Sequence, residues 1–468
     1  MNIVLINPRS RHPLEIQQKC FAPLNLMYLA ASLESAGYHV DIIDTNAFGW
    51  DDDIVVAQLN ELHPDIIGIS LLSEIYREVT DLARAIRAAL PEATLLFGGP
   101  HASALPEKVL RECRAADLVL RGESEASIVS LCEAITADRS LAEVPGLTFR
   151  QDDHIHHNPQ AKTVREIDSL AAPARHLLAP AYAAARYFMI LEKERPVETL
   201  LTSRGCPFQC RFCSNIPGRF RARSPENVLD EIVSRYDQGI RNFDIADANF
   251  THDPDRVMTI FRFILKEKLP ISFRFKSRTD AITPRLLKKA RQAGAYLVSM
   301  GMESGAQEIL DRMNKKTRLA ANIQACKMVK QAGLKVNTGW ILGFPGETPE
   351  TLRQTIDLIV RLKPTTANIG WLIPYPGTPV YEEARTEGSL MGDWSLSSRF
   401  LPWVKLPWVT DREQIRRIQQ RAWRRVYFRP YYMAGFTGEI LRSTNRRLAA
   451  YAWQEGKKVI RPGRRDTS

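Results

Sequence analysis

Three cysteines fall within one short stretch, Cys206-Pro207-Phe208-Gln209-Cys210-Arg211-Phe212-Cys213. Thiolates this closely spaced select soft metals, and zinc and iron–sulfur clusters are the two centres they would hold. Gly205 and Pro207 resist regular helix, and the apolar run Thr199-Leu200-Leu201-Thr202 ends just before them. The triplet therefore belongs on a loop after a strand, where backbone can wrap a cluster. A closed zinc site wants four ligands. No fourth Cys and no His lies within twenty residues on either side, so a four-iron cluster held here keeps one iron open to a chelating ligand.

The elements that must carry this loop begin with it. From residue 199 to about 375, short apolar runs alternate with helical patterns, with strands expected at 199–202, 242–245, 271–275, 296–300, 336–342 and 367–372. Six βα repeats make an open barrel, and the active sites of such folds gather at the carboxyl ends of the strands. Those ends carry chemistry in turn. Asp247 and Asn249 follow the second strand and Arg278 the third; Glu303 and Ser304 follow the fourth; Gly343 and Glu347 follow the fifth.

The triplet resembles the cluster motif of the radical S-adenosylmethionine superfamily. That resemblance implies a 4Fe-4S cluster on Cys206, Cys210 and Cys213, with the amino and carboxylate groups of S-adenosyl-L-methionine on the open iron. An electron from the cluster then cleaves the sulfonium to a 5′-deoxyadenosyl radical. By the same resemblance, Asp247 and Asn249 would meet the methionyl amine and Arg278 the methionyl carboxylate. Glu303 with Ser304 would meet ribose and methionine, Gly343 with Glu347 the adenine strand, and Phe212 would cover the adenine.

The first 140 residues form a second alternating series. Strands are expected at 3–6, 40–43, 66–70, 94–97 and 118–120, with helices at 24–35, 51–62, 74–90, 106–113 and 125–137. This is a doubly wound, Rossmann-like parallel α/β domain whose ligand lies at the carboxyl ends of the strands. Ser70, Leu72, Gly98, Gly99, Gly122 and Glu123 stand there. Ser-x-Leu followed by Gly-Gly resembles two elements of the cobalamin-binding domain. The element supplying a histidine to cobalt is absent. In its place stands Asn7-Pro8-Arg9-Ser10-Arg11-His12-Pro13, and cobalamin bound here would lack a histidine beneath it. A degenerate domain that binds no cobalamin is the alternative.

The division expected is a cobalamin-binding-like domain at 1–140, a hairpin and linker at 141–190, the radical S-adenosylmethionine barrel at 191–380 and a basic, aromatic, helical region at 381–468. In a chain of 468 residues, 44% apolar and 25% charged, the net charge of +11 is concentrated at one end. From Asp411 to Ser468 there are 15 Lys or Arg against 5 Asp or Glu, which argues against a uniform nucleic-acid surface. Residues 411–429 place Ile415, Ile418, Ala422 and Val426 on one stripe and most arginines elsewhere. Such a helix suits either a cap on the barrel or an anionic membrane surface. The aromatic, Pro-interrupted stretch from Phe400 to Trp408 is a candidate wall of the substrate cavity. Cys20, Cys113, Cys132 and Cys326 have no ligand spacing and read as small core residues. No signal segment and no spanning run is visible, so the expected location is cytoplasmic or peripheral to a membrane.

Together these features resemble the cobalamin-binding radical S-adenosylmethionine enzymes, a group that includes methylases and the anaerobic magnesium-protoporphyrin monomethyl ester cyclases. The resemblance implies methylation of an unactivated carbon. The alternative is a radical cyclisation, oxidation or rearrangement of a tetrapyrrole, hopanoid or other lipid-like substrate. A flavodoxin or ferredoxin would donate the electron. A transfer-RNA methylthiolating enzyme would carry cysteines for a second cluster near its amino terminus, and this chain does not.

Overall fold

Strands buried on both faces are built from continuous apolar runs, and Ile3 to Ile6 and Ile66 to Ile69 are of this kind. The computed structural model describes residues 1–9, 19–189, 191–214, 220–394 and 402–432, and the chain divides into two units.

The first unit is organised on a seven-stranded sheet. Its parallel strands are β1 (Asn2–Asn7), β2 (His39–Asp44), β3 (Ile66–Ser70), β4 (Thr94–Gly98) and β5 (Leu118–Leu120). Their order is β2-β1-β3-β4-β5, so the direction of winding reverses between β1 and β3, the crevice where such sheets bind ligands. Two further strands correct the expected division. β6 (Leu147–Gln151) and β7 (His154–His157) form a hairpin that adds antiparallel to β5. Asp152 and Asp153 both have positive φ, +48° and +59°, as a two-residue hairpin turn requires. The sheet is therefore mixed, and residues 141–188 belong to the first unit instead of forming a linker. The physical reason is the edge: the three-residue β5 leaves a row of unpaired backbone groups, and the hairpin covers them. Residues 375–377, 392–394 and 402 also group with this unit.

The second unit holds six parallel strands in chain order: β8 (Val197–Leu200), β9 (Asn242–Ile245), β10 (Ser272–Ser277), β11 (Ala295–Glu303), β12 (Lys335–Leu342) and β13 (Thr366–Trp371). β8 and β13 do not pair with each other, so the barrel is open. Buried Phe243, Phe250, Phe261, Phe273 and Phe275 fill the space between its first strands and helices, and neighbouring rings among the last four lie 5.4–6.3 Å apart between centroids. The helices begin by a repeated device. Ser224-Pro225, Asp253-Pro254, Thr283-Pro284, Thr348-Pro349 and Thr378-Pro379 each place an N-capping oxygen before a proline at the first helical position.

The helix Arg412–Tyr427 buries Ile415, Ala422 and Val426 and exposes most of its arginines. It lies on β13: the Tyr427 hydroxyl donates to Ala367 O (2.6 Å) and accepts from Ala367 N (3.0 Å), while Trp423 Nε1 donates to Ile369 O (3.3 Å). Of the two readings of this helix, the cap on the barrel describes its apolar stripe. In the candidate cavity wall, Trp403 and Leu406 are buried, while Phe400 and Leu401 lie outside the described residues. Cys20, Cys113, Cys132 and Cys326 are buried and unbridged. Among the described residues no helix is long and apolar enough to cross a membrane.

Candidate functional site

The cysteine loop grows from the end of β8, and its root is held on all sides. Asp247, fully buried, accepts from Thr202 N (2.6 Å), Thr202 Oγ1 (2.6 Å) and Ser203 Oγ (2.5 Å). Burial pushes its carboxyl pKa up, against the pull of those donors. Arg256 Nη2 donates to Thr202 O (2.7 Å), and Arg223 Nη1 donates to Leu201 O (3.1 Å). Gly205, at φ +78°, then turns the chain into the loop. Cys206, Cys210 and Cys213 are half-buried and unbridged.

The loop's far side is tied to residues 311–315. Arg211 N donates to Met313 O (3.0 Å), and Asn314 Nδ2 donates to Gln209 O (2.7 Å). The Arg278 guanidinium lies 3.6 Å from the centroid of the Phe208 ring.

One buried ion pair adjoins this loop. At the end of β11 the register slips between Gly301 and Glu303, and Glu303 takes a left-handed φ of +61°. Its Oε1 accepts from Lys315 Nζ at 2.7 Å, both side chains being about nine-tenths buried. A Cβ on residue 301 would lie 2.1 Å from Glu303 Oε1 and 3.0 Å from Lys315 Nζ, so only glycine leaves room for the pair. Burial pulls the Lys315 pKa down, but Glu303 and Cys210 outweigh it and the net shift is upward. Burial pushes the Cys210 thiol up, opposed by Lys315 and Arg278. Sequence reasoning missed Lys315, Arg223 and Arg256. Lys315 sits in Asn314-Lys315-Lys316, whose composition signals only a solvated turn.

The other expected contacts divide into those already engaged and those with unused polar atoms. Asp247, expected against the methionyl amine, accepts its three hydrogen bonds at the loop root. Arg278 is engaged as well: Nε and Nη2 close on Asp280 at 3.0 and 2.9 Å, and Nη2 also reaches Lys315 O. That carboxylate already occupies the fork on which the bidentate role rested. Ser304 Oγ, fully buried, accepts from Ala306 N and contacts Thr355 Oγ1, so it anchors a turn.

Asn249 is buried with Nδ2 unpartnered, and its Oδ1 accepts from Arg278 N. Glu347 accepts from Gly343 N through one oxygen and has no partner for the other. Burial pushes its pKa up to about 7. Gly343 has φ +81°, and a Cβ there would lie 2.2 Å from the Trp371 ring. Phe212 packs against the core cluster that includes Ile309, Met313 and Phe344.

In the first unit, backbone bonds bring the expected strand ends together. Leu71 N donates to Gly98 O (2.7 Å), and His101 N donates to Leu71 O (3.3 Å). Gly99, at φ +97°, would put a Cβ 3.0 Å from Leu71 O. Ser70 is buried beneath this ledge, and Leu72 is 42% exposed on it. Gly122 N donates to Ser103 Oγ (2.9 Å), and Glu123 accepts from Val164 N (3.3 Å), which turns Glu123 toward its own unit. His101, 1% exposed, contacts Ser73 Oγ through Nδ1 (2.8 Å). Burial, aided by Lys108, pushes its pKa down to about 4, so it stays neutral. His12 lies outside the described residues.

An α/β sheet of this winding joined to an open six-stranded barrel with a cysteine loop after its first strand defines a two-domain radical enzyme architecture. The family comparisons agree: residues 18–131 match the B12 binding domain and residues 200–359 the radical SAM superfamily. The chain thus carries a B12 binding domain followed in sequence by a radical SAM domain. A protein of Pyrococcus horikoshii described as an uncharacterized methyltransferase is 29% identical, covering 92% of this chain and 93% of its own. The anaerobic magnesium-protoporphyrin IX monomethyl ester cyclase of Cereibacter sphaeroides is 27% identical, covering 95% and 75%. Among solved structures, the radical S-adenosylmethionine methyltransferase TsrM from Kitasatospora setae superposes with a TM-score of 0.69 at 20% identity, over 84% of this chain and 77% of that one.

The residues fit the cofactors of such enzymes. Three half-buried thiols beside Lys315 and Arg278 suit an anionic cluster. Asn249 and Glu347 leave buried polar atoms for a small polar ligand, and the Gly99 ledge, where a side chain would collide, suits close approach by a broad one.

Proposed function

We propose that this protein transfers a methyl group to an unactivated carbon, with cobalamin held by the first unit and a 4Fe-4S cluster and S-adenosylmethionine by the second. The observation that carries the reading is the half-buried Cys206-Cys210-Cys213 loop with a buried carboxylate–ammonium pair at its side. When bound, the cluster supplies one electron to the sulfonium, and cobalamin supplies a carrier for the methyl group. The chain's own residues do the positioning. Asp247, Arg223 and Arg256 hold the loop root, Arg278 braces Phe208, and Asn249, Glu303 and Glu347 offer polar atoms at successive strand ends. The Gly99 turn lets backbone, without a side chain of its own, face the cobalamin at that point of the ledge.

The electron comes from a one-electron donor of the flavodoxin or ferredoxin class, and the location is cytoplasmic. Exposed Phe428 and Tyr431 beside the arginines of the helix Arg412–Tyr427 support a peripheral contact with an anionic membrane. Flotation with anionic but not neutral vesicles tests it.

The reaction is tested by anaerobic reconstitution and by feeding cells methyl-deuterated methionine. Formation of 5′-deoxyadenosine above a triple Cys→Ala control, with a product heavier by one intact labelled methyl, is expected. An unlabelled new ring would replace methyl transfer by the cyclase reading, which the cyclase relatives favour.

A further inference from the structure

We infer that the face of the barrel sheet turned away from its helices holds the methyl acceptor by an oxyanion, with Lys276 as the cation that selects it. The inference rests on the reaction proposed above and goes beyond it by naming a substrate class, a small polar acid carrying a carboxylate or a phosphate-type group.

Parallel strands covered on both faces are apolar throughout, and the interior of a closed βα barrel is packed with bulky side chains. From mid-strand onward, β10 to β13 are built otherwise. Side chains alternate along a strand, and Phe275, Val298, Val336 and Ala367 are buried on the face that packs against the helices. The alternate positions form polar rows across the sheet. In one, Asp244 lies beside Arg274, whose Nε donates to Asp244 Oδ1 at 2.6 Å, so this pair is neutral.

The next row is Lys276, Ser299, Asn337 and Thr366 on four adjacent strands. Its uncharged members are linked, Thr366 Oγ1 donating to Asn337 Oδ1 (2.7 Å) and Asn337 Nδ2 to Ser299 Oγ (3.3 Å). The lysine is left over. Its ammonium has three donors, and among the described residues it reaches Ala246 O, at a long 3.5 Å. No carboxylate stands in the row to neutralise it.

Space is present as well as charge. Lys276 is exposed although β10 lies between two other strands, and Asn368 and Gly370 of β13 are exposed too. A Cβ on Gly370 would meet nothing within 4 Å, and its φ is not positive, so neither packing nor conformation demands glycine there. Glycine inside a strand weakens it and marks close approach by a ligand. The row lies two residues before Arg278, about 7 Å down the strand from the end that faces the cysteine loop.

A carboxylate or phosphate-type group on Lys276 gains a charge-assisted hydrogen bond. An uncharged, lipid-like acceptor would instead cover a cation and a polar row without pairing them, which is costly.

The test uses three probes of similar length, butyrate, propylphosphonate and butanol, with the anaerobically reconstituted holoprotein loaded with S-adenosylmethionine. Ligand-observed NMR titration gives their Kd values. One of the acids is expected to bind about 10-fold more tightly than butanol, the worth of one charge-assisted hydrogen bond at an exposed site. A preference for butyrate assigns a carboxylate, and one for propylphosphonate a phosphate-type group. Lys276→Met should bring both acids to the level of butanol, and Lys276→Arg should keep most of the preference. Ser299→Asp sets a carboxylate beside Lys276 across the strand pair and should abolish the preference with the lysine still in place. Lys288→Met, at an exposed position on an outer helix, should change nothing, which separates a local contact from net charge. Iron content confirms the fold of each variant.

Equal binding of acids and butanol, no binding of either acid, or a preference that survives Lys276→Met overturns the assignment. The reaction is read separately, as 5′-deoxyadenosine formed by the same holoprotein, and stands if only the preference fails. A holoprotein that forms none overturns the reaction and the substrate class with it.

Discussion

The carboxyl ends of the two sheets are made from different materials. In the first unit the ends of β3 and β4 are small and neutral: Ser70, Gly98 and Gly99, with one exposed leucine and a histidine that burial keeps uncharged. In the second they bury charge: Asp247, Arg278, Glu303, Lys315 and Glu347. The difference follows from what each edge must hold. A broad, flat ligand is bound by backbone that can come close, so the first unit depends on space. A small, highly charged ligand beside a cluster needs fixed charges that do not reorganise, so the second depends on paired ions in a site of low dielectric.

If that contrast is right, removing a polar group should harm the second edge more, and adding a carbon should harm the first. The largest effect is expected from Asp247→Ala. It strands Thr202 N–H, two hydroxyls and the neighbouring Arg256, and should cost about 3–5 kcal/mol in urea unfolding along with cluster retention; a loss under about 1 kcal/mol would contradict the loop-root role.

Next is the pH dependence carried by Glu347. Its pKa in the folded protein, about 7, lies above its ordinary 4.5. The protonated form therefore favours folding, fully below about pH 4.5, and that stability is lost as pH rises toward 7. At about 1.4 kcal/mol per unit this is on the order of 3 kcal/mol. Glu347→Gln should match wild type near pH 4 and exceed it near pH 8, and parallel stability curves would show that burial does not control the group.

Gly99→Ala should cost about 1–3 kcal/mol, because φ of +97° and the 3.0 Å approach to Leu71 O both resist a side chain. Cobalamin affinity, read by visible absorbance, should fall about tenfold (~1.4 kcal/mol) with it. Ser70→Ala sharpens the comparison from below. Among the described residues its hydroxyl bond is a long 3.4 Å one from Asn25, so less than about 1 kcal/mol is expected. A large loss there would mean that the first edge, too, depends on polar groups.

Much of this was legible in the sequence. The strands of both series emerged nearly residue for residue, because parallel strands bury both faces and stand out as unbroken apolar runs. The five helix starts at a Ser, Asp or Thr followed by proline went unread, although that pattern is tied to capping. The hairpin at 147–157 was visible, but its attachment to β5 was not, since pairing depends on which edge a fold leaves open. Asp247 and Arg278 show the limit at the site. Their positions after the strands were readable, yet whether a carboxylate or a guanidinium faces a ligand or its own chain depends on neighbours far away in sequence. Lys315 is the converse case. A lysine in a polar turn looks solvated, and only the bulge at Glu303 and the missing side chain at Gly301 make it a buried partner.

The cover that Tyr427 and Trp423 lay over β13 sets an order on synthesis. The cysteine loop leaves the ribosome some two hundred residues before the helix that seals the last barrel strand. From the emergence of β13 until that helix follows it, Ala367 and Ile369 present backbone groups that only water, or another chain, can satisfy. A chain ending before Arg412 would keep that condition permanently: it could carry every residue assigned here to cluster, cofactor or cobalamin and still be a template for self-association.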